Sequence, residues 1–237
     1  MAVYVYSITA ADHTRNLDGL EGVGPAPAPL RTVSAGPLCA VVSDAPQELR
    51  AKRRDLMAHQ AVQERLMADG TVLPLRFGLT APDDAAVRAA LEQRRDEYTQ
   101  RLADLDGCAE YHLKAAVDED VLLRQILQES PTARQLNDDI KAGNGGPDLP
   151  LALGELVARE VLARQEALAA GIVEALRPHA RQERASEPTG EDFLNISFLV
   201  DHAHQELFLT AEKGIAGELG ADCDFRLNGP LPAYSFV

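Results

Sequence analysis

Tryptophan is absent from this 237-residue chain, and phenylalanine and tyrosine bring the aromatic share to only 5%. A core without many large rings has to be filled by Leu, Val and Ala. Cysteine is scarce as well: Cys39, Cys108 and Cys223 are odd in number, far apart, and without a CxxC pair. That spacing excludes a disulfide framework, a zinc knuckle and a redox motif. It leaves reduced thiols, each in or beside a strand pattern and expected to be buried. No stretch approaches the ~20 apolar residues that cross a bilayer, so no membrane partner is expected. The opening, Met1 to Thr9, has neither the basic region nor the cleavage site of a signal peptide, and the chain reads as cytoplasmic. Bases are outnumbered, with 23 Lys and Arg against 37 Asp and Glu, for a net charge of -14. An acidic surface repels phosphate, which excludes nucleic acid as a partner. The bases that exist gather at Arg50, Lys52, Arg53 and Arg54, and at Arg88, Arg94, Arg95 and Arg101. Carboxylates sit beside both groups in helical patterns, so both read as solvated helix faces.

What is present alternates between strand and helix. Val3-Tyr4-Val5-Tyr6-Ser7-Ile8 is β-branched and aromatic on both faces, as a central strand requires. A Gly- and Pro-rich connector follows, with proline at every second position from Pro25 to Pro29. Arg31–Ser34 and Leu38–Ser43 read as a strand pair joined at Ala35-Gly36-Pro37. A helix is expected from Pro46 to about Ala68, with Leu49, Leu56, Val62 and Leu66 on one face and Gly70 at its end. Thr71 to Phe77 is strand-like with an internal Pro74. Proline cannot donate to a ladder, so this strand belongs at an edge or carries a bulge. Thr80 is placed to cap the next helix, with Pro82 in its first turn. Val87, Leu91, Tyr98, Leu102 and Leu105 then form its buried stripe. This order implies one sheet with helices on one face.

Gly107 opens a second unit. Ala109, Tyr111, Leu113, Ala115 and Val117 alternate with Glu110, His112, Lys114 and Asp118, a strand with one wet face. A short helix over Asp120–Glu129 follows, then a further helical turn after Ser130-Pro131, and a loop at Gly143-Asn144-Gly145-Gly146-Pro147. The long helical pattern from 149 to 187 would, unbroken, be longer than a small domain is wide, so a kink near Gly171 or Pro178, or a projecting end, is expected. Phe193–Val200 is a strand. His204–Leu219 is a helix with Leu207, Ala211, Ile215 and Leu219 inward, and Asp222–Leu227 is the last strand. The apolar and aromatic spacing of residues 229–237 suggests a docked strap.

Few residues stand at spacings that chemistry could use. Asp201-His202-Ala203-His204 is the best metal-like cluster, but histidines at i and i+2 diverge on a strand or a helix, and Asp201 reads more simply as a helix cap. His59 lies near a helix stripe with no serine or cysteine at triad spacing, and reads as a core or edge histidine. Gly22-Val23-Gly24 has part of a phosphate-loop pattern, yet prolines follow where a helix would have to begin. No catalytic, cofactor-binding or metal-ligating residue is nominated, and no cofactor is expected.

Five segments, in order, resemble the GvpL/GvpF family of gas vesicle proteins. They are Val3–Ile8; Val33–Gly36 with Leu38 and Ala40–Ser43; His59; Thr71–Gly78; and Gly229–Phe236. Leu231 and Ala233 stand where that family usually has tryptophan and proline. The resemblance implies a non-enzymatic minor vesicle protein, needed for the shell to form, that contacts the small hydrophobic shell protein GvpA and other accessory Gvp proteins. It also implies an α+β fold of two ferredoxin-like domains, the second modified with extra helices, plus a docked C-terminal tail. The expected boundaries are 1–106, 107–228 with the long helix 149–187, and a tail over 229–237. Arg76, Phe77, Tyr234 and Phe236, within the family motifs, are expected to be core and domain-clamp residues. A ligand-sensing regulatory protein built from paired ferredoxin-like domains is the alternative reading.

Overall fold

The computed structural model describes residues 1–144, 146 and 148–237, with the side chain of Ala221 left aside. The expected glycine-rich loop falls partly on Gly145 and Pro147, which lie outside the described residues. The chain forms two compact units: residues 1–111 with 199–202 and 229–237, and residues 112–198 with 203–228.

The first unit is built on a sheet of β1 (Val3–Ala10), β2 (Arg31–Ala35), β3 (Leu38–Asp44), β4 (Val72–Pro74) and β5 (Thr80–Ala81). Its order is β2-β3-β1-β4, with β5 also paired to β1, and all these pairs are antiparallel. The order is that of a ferredoxin-like sheet in which the 11–30 connector replaces the first crossover helix. Between Val5 and Ser7 the β1–β3 register shifts, which makes Tyr6 an extra residue. A bulge of this kind resets the side-chain alternation. Val3, Val5 and Ile8 consequently fall in one buried cluster, and Tyr4 and Tyr6 in another.

Helices cover both faces of this sheet, where the sequence reading placed them on one. α1 (Arg53–Asp69) packs Val62 and Leu66 into the tyrosine cluster. α2 (Asp84–Gln93) and α3 (Arg95–Asp104) pack Val87, Leu91 and Leu102 into the valine cluster. A sheet apolar on both faces needs a cover on each.

Several boundaries differ from expectation for identifiable reasons. α1 begins at Arg53 instead of Pro46, because its N-cap residue Lys52 is extended (φ -77°, ψ 148°) and Leu49 packs against the tyrosine cluster. Leu56 is not in the core; it is 42% exposed. β4 stops at Pro74, after which Leu75 N–H donates to Tyr6 O at 3.0 Å and the chain turns. Thr80 is drawn into β5 opposite Tyr4, so Asp83 caps α2 by accepting from Ala86 N–H at 2.8 Å. The expected single helix is two, because Arg94 leaves helical geometry (φ -111°, ψ 24°) while its guanidinium holds Glu97 and Tyr98.

The second unit carries most of a sheet ordered β7-β8-β6-β9, from β6 (Cys108–Val117), β7 (Gln182–Ala185), β8 (Asp192–Asp201) and β9 (Cys223–Leu231). This is again the ferredoxin-like order, with α4 (Glu119–Glu129), α5 (Pro131–Lys141) and α6 (Asp148–Leu176) in the first crossover and α7 (Gln205–Leu219) in the second. Asp118 caps α4, and Ser130 caps an α5 that is a full helix instead of a single turn. α6 is continuous through Gly171 and ends at Leu176, just before Pro178, whose ring and missing N–H stop a helix. Its 29 residues span about 44 Å. Residues 182–185, expected to be helical, form the edge strand β7. On α7 the deeply buried side chain is Phe208, against Phe198 at 5.4 Å, while Leu207 is exposed.

Candidate functional site

The largest concentration of buried polar groups lies in the first unit, on the tyrosine face of its sheet. α1 carries Asp55, His59 and Gln63 at spacings of four, which aligns them on one helix face, and all three are buried. Opposite them, β1 presents Tyr4 and Tyr6, both fully buried.

His59 is the hub. Its Nε2 lies 3.0 Å from the Leu75 carbonyl, which can only accept, so Nε2 carries the proton. Nδ1 is then an acceptor and takes the Tyr4 hydroxyl at 2.9 Å. The Tyr4 oxygen in turn accepts Gly78 N–H at 3.1 Å. Tyr6 stacks on the imidazole at 5.7 Å, while Tyr4 and Phe77 meet it at steeper angles at 5.7 and 5.8 Å. The Tyr6 hydroxyl accepts Val23 N–H at 2.9 Å and donates to Ser43 Oγ at 2.9 Å, since Ser43 itself donates to a carbonyl. Gln63 donates its amide to Tyr6 O. Asp55 accepts Gly24 N–H at 3.0 Å and the Arg54 guanidinium at 2.9 Å.

Burial depresses the basicity of His59 below its usual range, with the Leu75 contact opposing. Burial raises Tyr4 well above the ordinary phenol range, raises Tyr6 as well, and pushes Tyr234 up to about 12. For Asp55, burial alone raises the carboxyl, but Gly24 N–H and Arg54 outweigh it and hold it below its usual value. At neutral pH the hub is therefore a neutral imidazole with both nitrogens engaged. A general base needs an available lone pair near the substrate proton. What this arrangement does is tie β1, α1, the 22–24 loop and the 75–78 turn together.

Residues 232–237 join the same unit. Tyr234 OH lies 3.3 Å from His59 Nε2. Ser235 N–H and Oγ donate to the two Glu110 carboxylate oxygens at 2.8 and 2.6 Å. Ala233 is buried in the valine cluster, and Phe236 and Val237 pack against it. Glu110, expected on a wet face, is only 4% exposed because Ser235 supplies the partners that burial demands. Of the four motif residues, Phe77, Tyr234 and Phe236 are half-buried and Arg76 is exposed, a correction to its expected core position.

The remaining sequence candidates do not converge. His202 and His204 sit exposed in a 3-10 turn. Asp201 ends β8 instead of capping α7, and its carboxylate accepts the Cys108 thiol at 3.6 Å. The Val23 and Gly24 amides, which a phosphate loop would offer outward, are engaged by Tyr6 and Asp55. Only Cys39 of the three thiols is buried; Cys108 and Cys223 are partly exposed. Among the described residues, no group of three or more His, Cys, Asp or Glu side chains is placed to hold a metal ion. A cavity of about 300 Å³ in the first unit is lined by Gly70, Thr71, Asp106, Cys108, His202 and Ala233, with others; Thr71 donates there to Asp106 at 2.7 Å.

The sequence reading missed Asp55, Gln63 and Glu110. For the first two there was a signal: they flank His59 at four-residue steps beside Val62 and Leu66. Glu110 gave none, since its partner stands 125 positions away.

Residues 2–237 match the family described as gas vesicle synthesis protein GvpL/GvpF. The chain is 42% identical to gas vesicle protein F of Streptomyces sp. (strain CB03234), with both chains covered in full. It is 29% identical to gas vesicle protein L of the same strain, over 99% of this chain and 92% of that one. In fold it is similar to the crystal structure of GvpF from Anabaena sp. PCC7120, with a TM-score of 0.86 at 22% identity over 99% of this chain and 97% of that one. The GvpF structure from Microcystis aeruginosa gives 0.80 at 24% identity, over 99% and 98%.

Proposed function

The chain belongs to the GvpL/GvpF family of gas vesicle synthesis proteins, and from that premise we propose that it is an accessory protein of gas vesicle formation acting by binding, without catalysis. Its partners in this reading are the shell protein GvpA and other accessory Gvp proteins, met in the cytoplasm at the forming vesicle. The observation that carries the reading is the unbroken match from residue 2 to 237, with relatives named gas vesicle proteins across their own lengths. The engagement of His59, Tyr4, Tyr6 and Asp55 in holding segments together supports a binding role over an acid–base one. Among the described residues no helix is long and apolar enough to cross a membrane.

The physical logic is that of a holder. Small hydrophobic shell subunits expose apolar patches and strand edges that pair indiscriminately. A chain with a net charge of -14 resists self-association and can keep such a subunit available until it joins the growing shell. A pull-down of the purified chain with GvpA, at low and at high salt, tests this. Retention of GvpA is expected. Loss of all retention by a folded sample would remove GvpA from the partners, and absence of every Gvp protein from the captured set would end the reading.

A further inference from the structure

The first three turns of α1 have their polarity reversed. They bury Asp55, His59 and Gln63, while Leu56 is 42% and Met57 59% exposed. Arg53, Leu56, Met57, Gln60 and Glu64 are all exposed, and their three- and four-residue steps put them on one outward face. Burying three polar side chains while leaving a leucine and a methionine in water is unfavourable unless that face has another use. The residues leading into it are the densest basic run of an acidic chain: four of the five from Arg50 to Arg54 are Lys or Arg. Arg50 pairs with Glu48 and Arg54 with Asp55, and Lys52 and Arg53 stand exposed next to the apolar pair.

We propose that this face of α1 is a docking surface for an acidic amphipathic helix of a partner protein. Apolar side chains of that helix cover Leu56 and Met57, and flanking carboxylates meet Lys52 and Arg53. Charge complementarity selects this occupant. A Debye length of about 8 Å at physiological salt lets the local basic cluster act apart from the acidic remainder of the chain. Methionine beside leucine is also the adaptable kind of surface that accommodates a helix stripe. The inference rests on the reading that the chain works by binding proteins, and it adds where one partner binds and of what kind.

The test uses the full chain and two labelled synthetic helices of about 18 residues, five turns. Both carry the same leucine stripe; one has glutamates on its flanks and the other lysines. Fluorescence anisotropy is expected to show the glutamate helix binding, weakened by added salt, with the lysine helix bound at least roughly tenfold more weakly. The double variants Leu56→Ser with Met57→Ser and Lys52→Glu with Arg53→Glu are each expected to weaken binding at least roughly tenfold. Because all four side chains are exposed, circular dichroism and melting should match wild type, so a binding loss is not a folding loss. Equal affinity for both helices, or unchanged affinity in both variants, overturns the proposal. So does binding of phosphatidylglycerol vesicles in place of the glutamate helix, or self-association in sedimentation that the variants abolish. Loss of GvpA retention while the glutamate helix still binds would defeat the GvpA assignment and leave this surface standing.

Discussion

Replacing Glu110 tests the anchoring of the C-terminal residues most directly. The side chain is 4% exposed, and each of its carboxylate oxygens accepts a hydrogen bond from Ser235, one from the backbone and one from the hydroxyl. Hydrogen bonds to a charged group contribute about 1.5–3 kcal/mol each, so Glu110→Ala removes about 3–6 kcal/mol in gross terms. Part is returned, because the carboxylate no longer has to be kept out of water, and a net loss of about 2–4 kcal/mol remains. Glu110→Gln keeps the shape: its carbonyl still accepts Ser235 N–H, and its amide can donate to the hydroxyl, which turns to accept. Only the charge assistance is lost, about 1–2 kcal/mol. Global unfolding is a poor readout for a chain with two units, whose transition need not be two-state. Hydrogen exchange at the Ser235 amide reads the local opening instead. At 1.4 kcal/mol per factor of ten, protection should fall roughly 30- to 900-fold in Glu110→Ala and about 5- to 30-fold in Glu110→Gln. Unchanged protection in Glu110→Ala, or equal losses in both variants, would refute the claim that the carboxylate holds this segment.

Two further outcomes follow from the same unit. A methyl group added at Gly229 would lie 2.4 Å from Tyr111 Cδ1 and 3.0 Å from Glu110 O, so Gly229→Ala should cost about 1–3 kcal/mol and lower hydrogen-exchange protection of the Ser235 amide roughly 5- to 150-fold; unaltered protection would contradict the packing. The native pKa of His59 lies below its ordinary 6.5, so the unfolded chain takes up the proton first as pH falls; its contribution is complete above 6.5 and is lost as pH drops through the native value. His59→Gln should flatten that part of the stability–pH curve, and an identical slope in the variant would show that another group is responsible.

How far the sequence reaches depends on the distance between the residues that decide a feature. Strand and helix positions follow from local periodicity, and the spacing from Val87 to Leu105 correctly identified an inward face. The cover on both sheet faces was implicit in the strand Val3–Ile8, apolar on each side, but the bulge at Tyr6 that assigns its residues to the two clusters depends on register with β3. α1 misled because its apolar spacing included Leu49 and Leu56, while its buried stripe is partly polar and satisfied by distant groups: Gly24, Tyr4 and Leu75. Leu207 and Phe208 are adjacent on α7, and the strict spacing of four favoured the wrong one; only the position of Phe198 decides between them. The docked tail was legible from its apolar spacing, but Glu110, its anchor, sat in an alternating pattern that reads as solvent-facing.

The first unit is discontinuous along the chain, and this sets a timetable for its synthesis. Residues 1–111 emerge from the ribosome well ahead of 199–202 and of 229–237, the last of which follow Tyr111 by about 120 residues. At about 5–20 residues per second that is a wait of roughly 6 to 24 s. Throughout it the valine cluster lacks Ala233, for most of it Leu199 as well, and Glu110 has no Ser235 to hold. The nascent chain passes through that interval with an open apolar surface, and the unit closes only when residues 229–237 arrive.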